Sequence, residues 1–177
     1  SGQSSNFAYH TNLNDTSALS GSSPYHMGTQ NYTNGDRLYL AEGGLTSSAT
    51  YVAYVWQERP GFSAFGSYTG NGSDDGPYVH LGFKAAWIMF KLVDGGNDDW
   101  PVYDIKRDPI NACDHRLFAN ATTEEGAVGQ EHFDILSNGI KFRKQKNPFN
   151  NSGKVYIYMA FAEQPGTTPF GTLPNAR

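Results

Sequence analysis

Residues 51–61 read YVAYVWQERPG, and residues 156–166 read YIYMAFAEQPG. Each stretch follows an Asn-Gly pair, Asn34–Gly35 or Asn138–Gly139, at nearly the same distance. Similarity of a chain to itself at a fixed offset, here about a hundred residues, indicates a repeated structural unit the size of a domain. The first stretch is apolar on both faces of an extended chain, which favours a strand buried between two layers. The pattern therefore predicts one β-rich unit that occurs twice, the first time incompletely.

The remaining predicted strands are short and are separated by Gly, Asn and Asp turns. Together with the first stretch they are expected at Arg37–Leu40, Thr50–Trp56, Gly61–Thr69, Tyr78–Leu81, Ala86–Val93, Trp100–Ile105, Phe133–Leu136, Ile140–Arg143 and Lys154–Phe161. Short strands at regular spacing predict an all-β fold, an antiparallel β-sandwich that is jelly-roll-like. The segment Arg107–Gly129 is polar and is expected to be irregular.

The repeat and the strand pattern divide the chain into three parts. Residues 1–60 are predicted to be a partial preceding repeat with a loop-rich N-terminus, residues 61–165 a complete β-sandwich unit, and residues 166–177 a Pro-rich C-terminal arm. A half unit followed by a whole one predicts the C-terminal piece of a longer modular polypeptide.

The composition restricts the class of protein. Gly 20, Tyr 11 and Phe 11, with only 17% charged residues, are typical of a turn-rich β protein. A formal net charge of -4 provides no basic stripe for a phosphate backbone, so no nucleic-acid partner is expected. No apolar run is long enough for a membrane span, so no membrane insertion is expected. The single cysteine, Cys113, excludes an intrachain disulfide framework and favours folding in a reducing cytoplasm.

No residue pattern predicts catalysis. The five histidines lack the spacing of a zinc site, and structural or surface roles are expected for them. Asp114–His115 and Glu131–His132 place a carboxylate beside an imidazole, but no nucleophile signature accompanies them. Glu124–Glu125 and Asp98–Asp99 are adjacent acids, whose side chains would point to opposite faces of a strand. We therefore expect no catalytic residue and no enzymatic activity.

Aromatic side chains in or next to loops give a candidate site for a glycan. A sugar site needs a flat ring for stacking, short polar groups for hydroxyls, and a backbone that a ligand can approach closely. The turn between Gly70 and Tyr78, with its neighbours, supplies all three. The candidate residues are Tyr68, Asn71, Asp74, Asp75, Tyr78 and Trp100. The alternative is that this turn carries only the chemistry that a hairpin requires.

A second polar turn, between Asp94 and Asp99, is rich in oxygen ligands. Asp94, Asn97, Asp98 and Asp99 could hold a hard cation such as Ca²⁺ through loop oxygens, although they lack the order of an EF-hand. The alternative is a polar hairpin turn between two strands. No other cofactor is expected.

Four motifs in order carry a resemblance to a known family: FGSYTGNG at 65–72, GFKAAWIMFK at 82–91, LSNG at 136–139 and YIYMAFAE at 156–163. They resemble a repeated domain of unknown function in large structural proteins, often labelled tail fibres, of marine and cyanobacterial tailed phages. The resemblance implies a virion surface protein, on a tail fibre or the capsid surface, assembled in the host cytoplasm. It brings no catalytic residues with it.

Three functions are compatible with this resemblance. The first is a module of a tail or head fibre that binds host surface glycan without catalysis. The second is a purely structural capsid decoration, knob or fibre-shaft module, and the third is a glycan-depolymerising tailspike. Expected partners are other virion proteins, host glycan and further copies of the chain, most simply in a homotrimer, since several weak sites gain avidity together.

Overall fold

The computed structural model describes residues 49–95, 98–127, 132–144 and 149–163, together with Leu13, Thr16 and Ser17. The strands in these residues are β1 (Ser63–Thr69), β2 (Tyr78–His80), β3 (Ala85–Leu92), β4 (Pro101–Asp104), β5 (His115–Phe118), β6 (Gly126–Ala127), β7 (Phe133–Leu136), β8 (Gly139–Phe142) and β9 (Val155–Ala162). None of the described residues is helical, and so none belongs to a helix that could cross a membrane.

The strands form two antiparallel sheets. The larger sheet has the order β1-β9-β3-β4-β5-β6, and the smaller one has the order β2-β8-β7. Every pair of neighbouring strands is antiparallel. The predicted all-β class and the antiparallel sandwich are therefore confirmed.

Strand β9 lies between β1 and β3, the second strand from one end of the larger sheet. Ala160 pairs with Ala64 of β1 on one side and with Ile88 of β3 on the other. All three of these side chains are buried. Small and branched side chains on one face allow the second sheet to pack closely, while backbone hydrogen bonds are satisfied along both edges of β9.

An aromatic cluster joins the two sheets. The ring of Phe90, in β3, lies 5.5 Å from that of Phe133 and 5.6 Å from that of Phe142, both in the smaller sheet. Tyr103, in β4, approaches Phe133 edge to face at 4.9 Å. Phe149 also contributes a fully buried ring to this cluster. Edge-to-face contacts of this kind add stability beyond the burial of apolar area.

The smaller sheet depends on one tight hairpin. Leu136 pairs with Gly139, so Ser137 and Asn138 form a two-residue turn, one residue earlier than the Asn-Gly pair predicts, and Gly139 begins β8. Gly139 also pairs with His80 of β2, and a Cβ atom at Gly139 would collide with the carbonyl oxygen of Val79. Only glycine therefore fits at position 139, where the first residue of β8 pairs with β2.

The predicted buried strand at Thr50–Trp56 is wrong. No residue of this segment lies in a strand, and Val52 and Tyr54 are each 77% exposed. A segment that is apolar on both faces needs strands at its edges and layers above and below it, and the described residues supply neither. Tyr51–Trp56 and Tyr156–Phe161 thus occupy unrelated places, which contradicts the structural equivalence predicted from their sequences.

The irregular character predicted for Arg107–Gly129 is wrong in part, because β5 and β6 lie there. The pairing of Val102 in β4 with Leu117 in β5 extends the sheet through a segment with no clear alternation in sequence. The predicted strand at Arg37–Leu40 and the Pro-rich arm at 166–177 lie outside the described residues. The predicted domain boundaries at 60/61 and 165/166 remain predictions.

Candidate functional site

The turn between β1 and β2 is built by side chains that bond its own backbone. The Asn71 side chain accepts a hydrogen bond from the backbone N–H of Ser73 at 3.0 Å and donates one to the carbonyl of Asp75 at 2.8 Å. Gly72 has a φ of 66°, a left-handed conformation that glycine adopts without strain. Asn71, a predicted ligand-binding residue, thus shapes the turn with the two ends of its side-chain amide.

A fully buried asparagine anchors this turn to the rest of the fold. The Asn150 side chain accepts a hydrogen bond from the N–H of Asn71 at 2.8 Å and donates one to the carbonyl of Ser73 at 2.7 Å. Because the Asn150 residue is fully buried, these bonds hold the turn in one position relative to the smaller sheet. No local sequence pattern indicates this role, since Asn150 lies 79 positions from Asn71.

The outward face of the smaller sheet presents a row of polar side chains. Tyr78 of β2 pairs with Lys141 of β8, which in turn pairs with Asp134 of β7. Lys141 Nζ lies 2.6 Å from Asp75 Oδ1 and donates a hydrogen bond to the carbonyl of Gly76. The bond from Lys141 holds the pKa of Asp75 below its ordinary value. Lys141 therefore ties the turn to this face of the sheet.

Next to this row lies a polar cleft of about 610 Å³, and its walls come from three different segments of the chain. It is lined by Asp74, Asn111, Ala112, Asp134, Arg143 and Lys144. Arg143 Nε donates to Asp134 Oδ2 at 2.6 Å, and its Nη2 also contacts that oxygen. The Asn111 amide bonds the backbone N–H and carbonyl of Ile135, so it supports the wall as well as lining it.

Tyr78 lies at one end of the polar row and keeps a partly accessible ring. Its side chain is 44% exposed, and its hydroxyl lies 3.2 Å from both the carbonyl of Asn138 and Nδ1 of His80. The ring is therefore held in place while one side of it remains open to solvent. A fixed aromatic surface next to charged and amide groups is what sugar stacking requires.

Two of the six predicted ligand-binding residues lie away from this face. Tyr68 is stacked between Phe142 at 4.8 Å and Tyr156 at 5.1 Å, and its hydroxyl donates to the carbonyl of Phe149 at 2.8 Å. Burial raises the pKa of Tyr68 well above its ordinary value. Trp100 is 8% exposed and directly precedes β4 of the larger sheet. The structure brings Asp74, Asp75 and Tyr78 together with Asn71 on one side of the molecule and leaves Tyr68 and Trp100 in packing roles.

The acidic turn proposed for Ca²⁺ uses its oxygens for bonds within the protein. The carbonyl of Asp98 accepts a hydrogen bond from Lys91 Nζ at 2.6 Å, and Asp99 Oδ1 accepts one from Asn120 at 2.9 Å. Asp94 is exposed, and Asn97 lies outside the described residues. Among the described residues, no group of three or more His, Cys, Asp or Glu side chains is arranged to hold a metal ion.

The residues of the polar row and the cleft that come from β7, β8 and the residue after β8 were not predicted from the sequence. Asp134, which is 7% exposed, lies between the apolar core residues Phe133 and Ile135, and Lys141 and Arg143 flank buried Phe142. Together with the two-residue turn at Ser137–Asn138, this alternation of polar and apolar residues fixes which side chains share the outward face. The signal was therefore present in the sequence for Asp134, Lys141 and Arg143, but not for Asn111, which comes from the β4–β5 connection.

One family model matches residues 3–165 of the chain. The chain belongs to the family DUF7483. The family is described as a domain of unknown function, and its match includes both predicted units as well as every residue of the polar cleft. Neither a curated protein nor a solved structure matches this DUF7483 chain.

Proposed function

We propose that this DUF7483 chain is a non-catalytic module of a phage virion surface protein, on a tail or head fibre, and that it recognises host surface glycan. The polar cleft beside the smaller sheet is the observation that carries the proposal. Its lining combines carboxylate, amide, guanidinium and ammonium groups, and the accessible Tyr78 ring lies in the same sheet, on β2, with β8 between it and Asp134. The virion location is supported by the resemblance of the four sequence motifs to phage structural proteins.

The charge arrangement of the cleft favours a neutral, hydroxyl-rich ligand. Asp134 is paired with Arg143, and Asp75 is paired with Lys141, so opposite charges alternate along this face. Carboxylate oxygens accept hydrogen bonds from sugar hydroxyls, while guanidinium and ammonium groups donate to them. A strongly charged ligand would meet groups of its own sign. We expect a weak site, with a dissociation constant on the order of millimolar to micromolar for each chain.

Binding to an array of neutral and acidic oligosaccharides tests the proposal. The full chain should retain neutral, hydroxyl-rich saccharides, and the double variant Asp74→Ala/Lys144→Ala should lose at least about tenfold in affinity, or about 1.4 kcal/mol. The matched control is Asp94→Ala, an exposed acid on the β3–β4 connection. All variants should unfold at temperatures close to that of the wild type. Equal retention by the cleft variant and the wild type would remove the cleft from the binding site.

A structural role is the second candidate, and the outward face of the larger sheet favours it. Phe161 of β9 lies 5.8 Å from Phe65 and 5.7 Å from Trp87, and all three rings are partly accessible. Accessible aromatic clusters of this kind mark surfaces that contact other proteins. A capsid decoration or fibre-shaft module would use this face against neighbouring subunits. Immunolabelling of the virion in electron micrographs separates the two roles by location.

The third candidate is a glycan-depolymerising tailspike. It would require a pair of acids positioned on either side of a glycosidic bond. Release of reducing ends from host polysaccharide, lost on substitution of Asp74 or Asp134, would favour this activity over simple binding.

A further inference from the structure

The segment Tyr51–Trp56, here called the apolar segment, exposes large apolar side chains to solvent. Its exposed fractions run from 50% for Tyr51 to 77% for Val52 and Tyr54. Tyr, Val and Trp are among the residues most favoured in strands, yet the segment belongs to no strand. An uncharged, β-prone run of this length tends to pair with the open edge of a sheet.

Strand β1 supplies an edge of suitable length. It ends the larger sheet, with β9 on its inner side. The N–H of Ala162 bonds the carbonyl of Phe62, and antiparallel alternation then directs the backbone groups of Ala64, Gly66 and Tyr68 toward β9. The backbone groups of Phe65, Ser67 and Thr69 point the other way. Among the described residues no strand pairs with them, and the other strands at sheet ends are only two to four residues long.

The chain that follows the apolar segment begins to pair with β1 but stops after one rung. Arg59 and Ser63 form an antiparallel bridge with both backbone hydrogen bonds, which turns the preceding chain back along β1. In a continued hairpin the next rung would join the carbonyl of Gln57 to the N–H of Phe65. Instead, Ser63 Oγ donates to the Gln57 carbonyl at 2.8 Å. This side-chain bond directs the Gln57 carbonyl toward Ser63, and the described residues show no backbone hydrogen bond from Phe65 to it.

We propose that the apolar segment of one copy of the chain adds as a strand to the open β1 edge of a second copy, along Phe65–Thr69. Both halves of the interface lie on the same chain, so the contact is reciprocal in a dimer or closes a ring in a larger cyclic assembly. Main-chain bonds at Phe65, Ser67 and Thr69 provide the pairing, and the side chains of the added strand cover the sheet edge. Gly66 lies against the Tyr158 ring, and an aromatic residue opposite it shields that ring from water.

Sedimentation of the full chain across the micromolar range tests this interface. The wild type should form an assembly of two or more chains. The double variant Val52→Lys/Tyr54→Lys places charges on side chains that are exposed in the single chain, and it should sediment as a monomer. The matched control Ile110→Lys alters a side chain that is 79% exposed elsewhere on the surface, and it should keep the wild-type mass.

A second pair of variants tests the receiving edge. Ser67→Pro removes a backbone N–H that points away from β9 and should abolish assembly, whereas Ser67→Thr keeps this N–H and should preserve it. The proposal is overturned if the wild type is a monomer at every concentration. This holds whether the apolar segment of that monomer is free or folded onto its own β1. Assembly that survives the double lysine variant overturns it as well. If Ser67→Pro fails to fold, the lysine variants still decide, because their positions lie outside every strand.

Discussion

The Oδ1 atom of Asp108 lies 2.6 Å from Nδ1 of His115, and the Asp108 side chain is almost fully buried. The other oxygen of Asp108 accepts hydrogen bonds from the backbone N–H groups of Asp114 and His115, each at 2.8 Å. In sequence the carboxylate beside this histidine is Asp114, but the structure pairs the imidazole with Asp108. One carboxylate thus fixes both the start of β5 and the connection that leads to it.

We predict that this pair stabilises the fold more at acidic than at alkaline pH. The hydrogen bond from Asp108 is the main cause that raises the pKa of His115 above its ordinary value. A raised pKa means that the folded state binds the proton more tightly than the unfolded state. The contribution is therefore present in full below the ordinary histidine pKa and is lost as the pH rises through the folded-state pKa.

Thermal unfolding of His115→Ala and the wild type, at about pH 5.5 and about pH 8.5 on either side of the ordinary histidine pKa of about 6.5, measures this effect. The difference in midpoint between the two proteins should be larger at the acidic pH. In an Asp108→Asn background the partner charge is missing, so most of that pH dependence should disappear. A difference that is equal at both pH values, or larger at alkaline pH, would contradict the pairing.

Tyr68 should prove to be a core residue rather than a ligand-binding residue. Tyr68→Phe removes only the hydroxyl that donates to the buried carbonyl of Phe149, and it should lower the free energy of unfolding by about 1 kcal/mol. Tyr68→Ala also removes the stack with Phe142 and Tyr156 and should cost about 3–5 kcal/mol. Urea unfolding measures both. A stable Tyr68→Ala protein that had lost saccharide binding would reverse the assignment.

The sequence predictions were accurate where neighbouring residues determine the structure and inaccurate where distant segments do. Strands with local alternation and turn signals, such as β7 and β8 around Asn138, were predicted nearly to the residue. The prediction for Tyr51–Trp56 was wrong because this doubly apolar segment stays outside, whereas Tyr68, which lies next to a loop in sequence, turns inward. Whether a side chain is buried depends on segments distant in sequence. Asn150, which bonds a turn 79 positions away, shows how little local sequence reveals of such contacts.

Cys113 should be inert in the folded protein. The thiol is fully buried, and burial raises its pKa to about 12, so almost no reactive thiolate forms near neutral pH. We expect no reaction with a colourimetric disulfide reagent under native conditions and one equivalent of reaction after denaturation. Fast reaction of the native protein at a rate independent of denaturant would show that the thiol is accessible.

Gly139 should tolerate no side chain. A Cβ atom there would overlap the carbonyl oxygen of Val79 and crowd the Tyr78 ring, so Gly139→Ala must separate β2 from β8. Forced overpacking of this kind costs about 1–3 kcal/mol. Gly126→Ala is the control, because the nearest neighbour of its added Cβ lies 4.0 Å away. Denaturant unfolding should separate the two variants, and equal stability would mean that β2 shifts without cost.

The Lys91 ammonium lies beside the turn for which a metal ion was predicted. Its side chain is fully buried, and its ammonium donates to the carbonyls of Thr16 at 2.7 Å and Asp98 at 2.6 Å while lying 5.5 Å from the centre of the Trp100 ring. The carbonyl of Asp98, in the turn after β3, thus accepts a hydrogen bond from a charged group of the chain itself, while Ca²⁺ binding at this turn stays a prediction. The Lys91 ammonium also joins Thr16, which lies near the start of the sequence, to the larger sheet.

Lys91→Met should therefore destabilise the protein even though methionine matches the length and apolar character of the lysine stem. Replacing both members of a buried polar pair by apolar groups can be neutral, but this variant removes only the donor and leaves two backbone carbonyls behind. We expect a loss of about 1–3 kcal/mol in the free energy of unfolding, with faster proteolysis near Thr16. Lys84→Met, at an exposed position next to β3, is the matched control. Wild-type stability together with unchanged cleavage near Thr16 in Lys91→Met would show that the ammonium does not hold the N-terminal segment to the sheet.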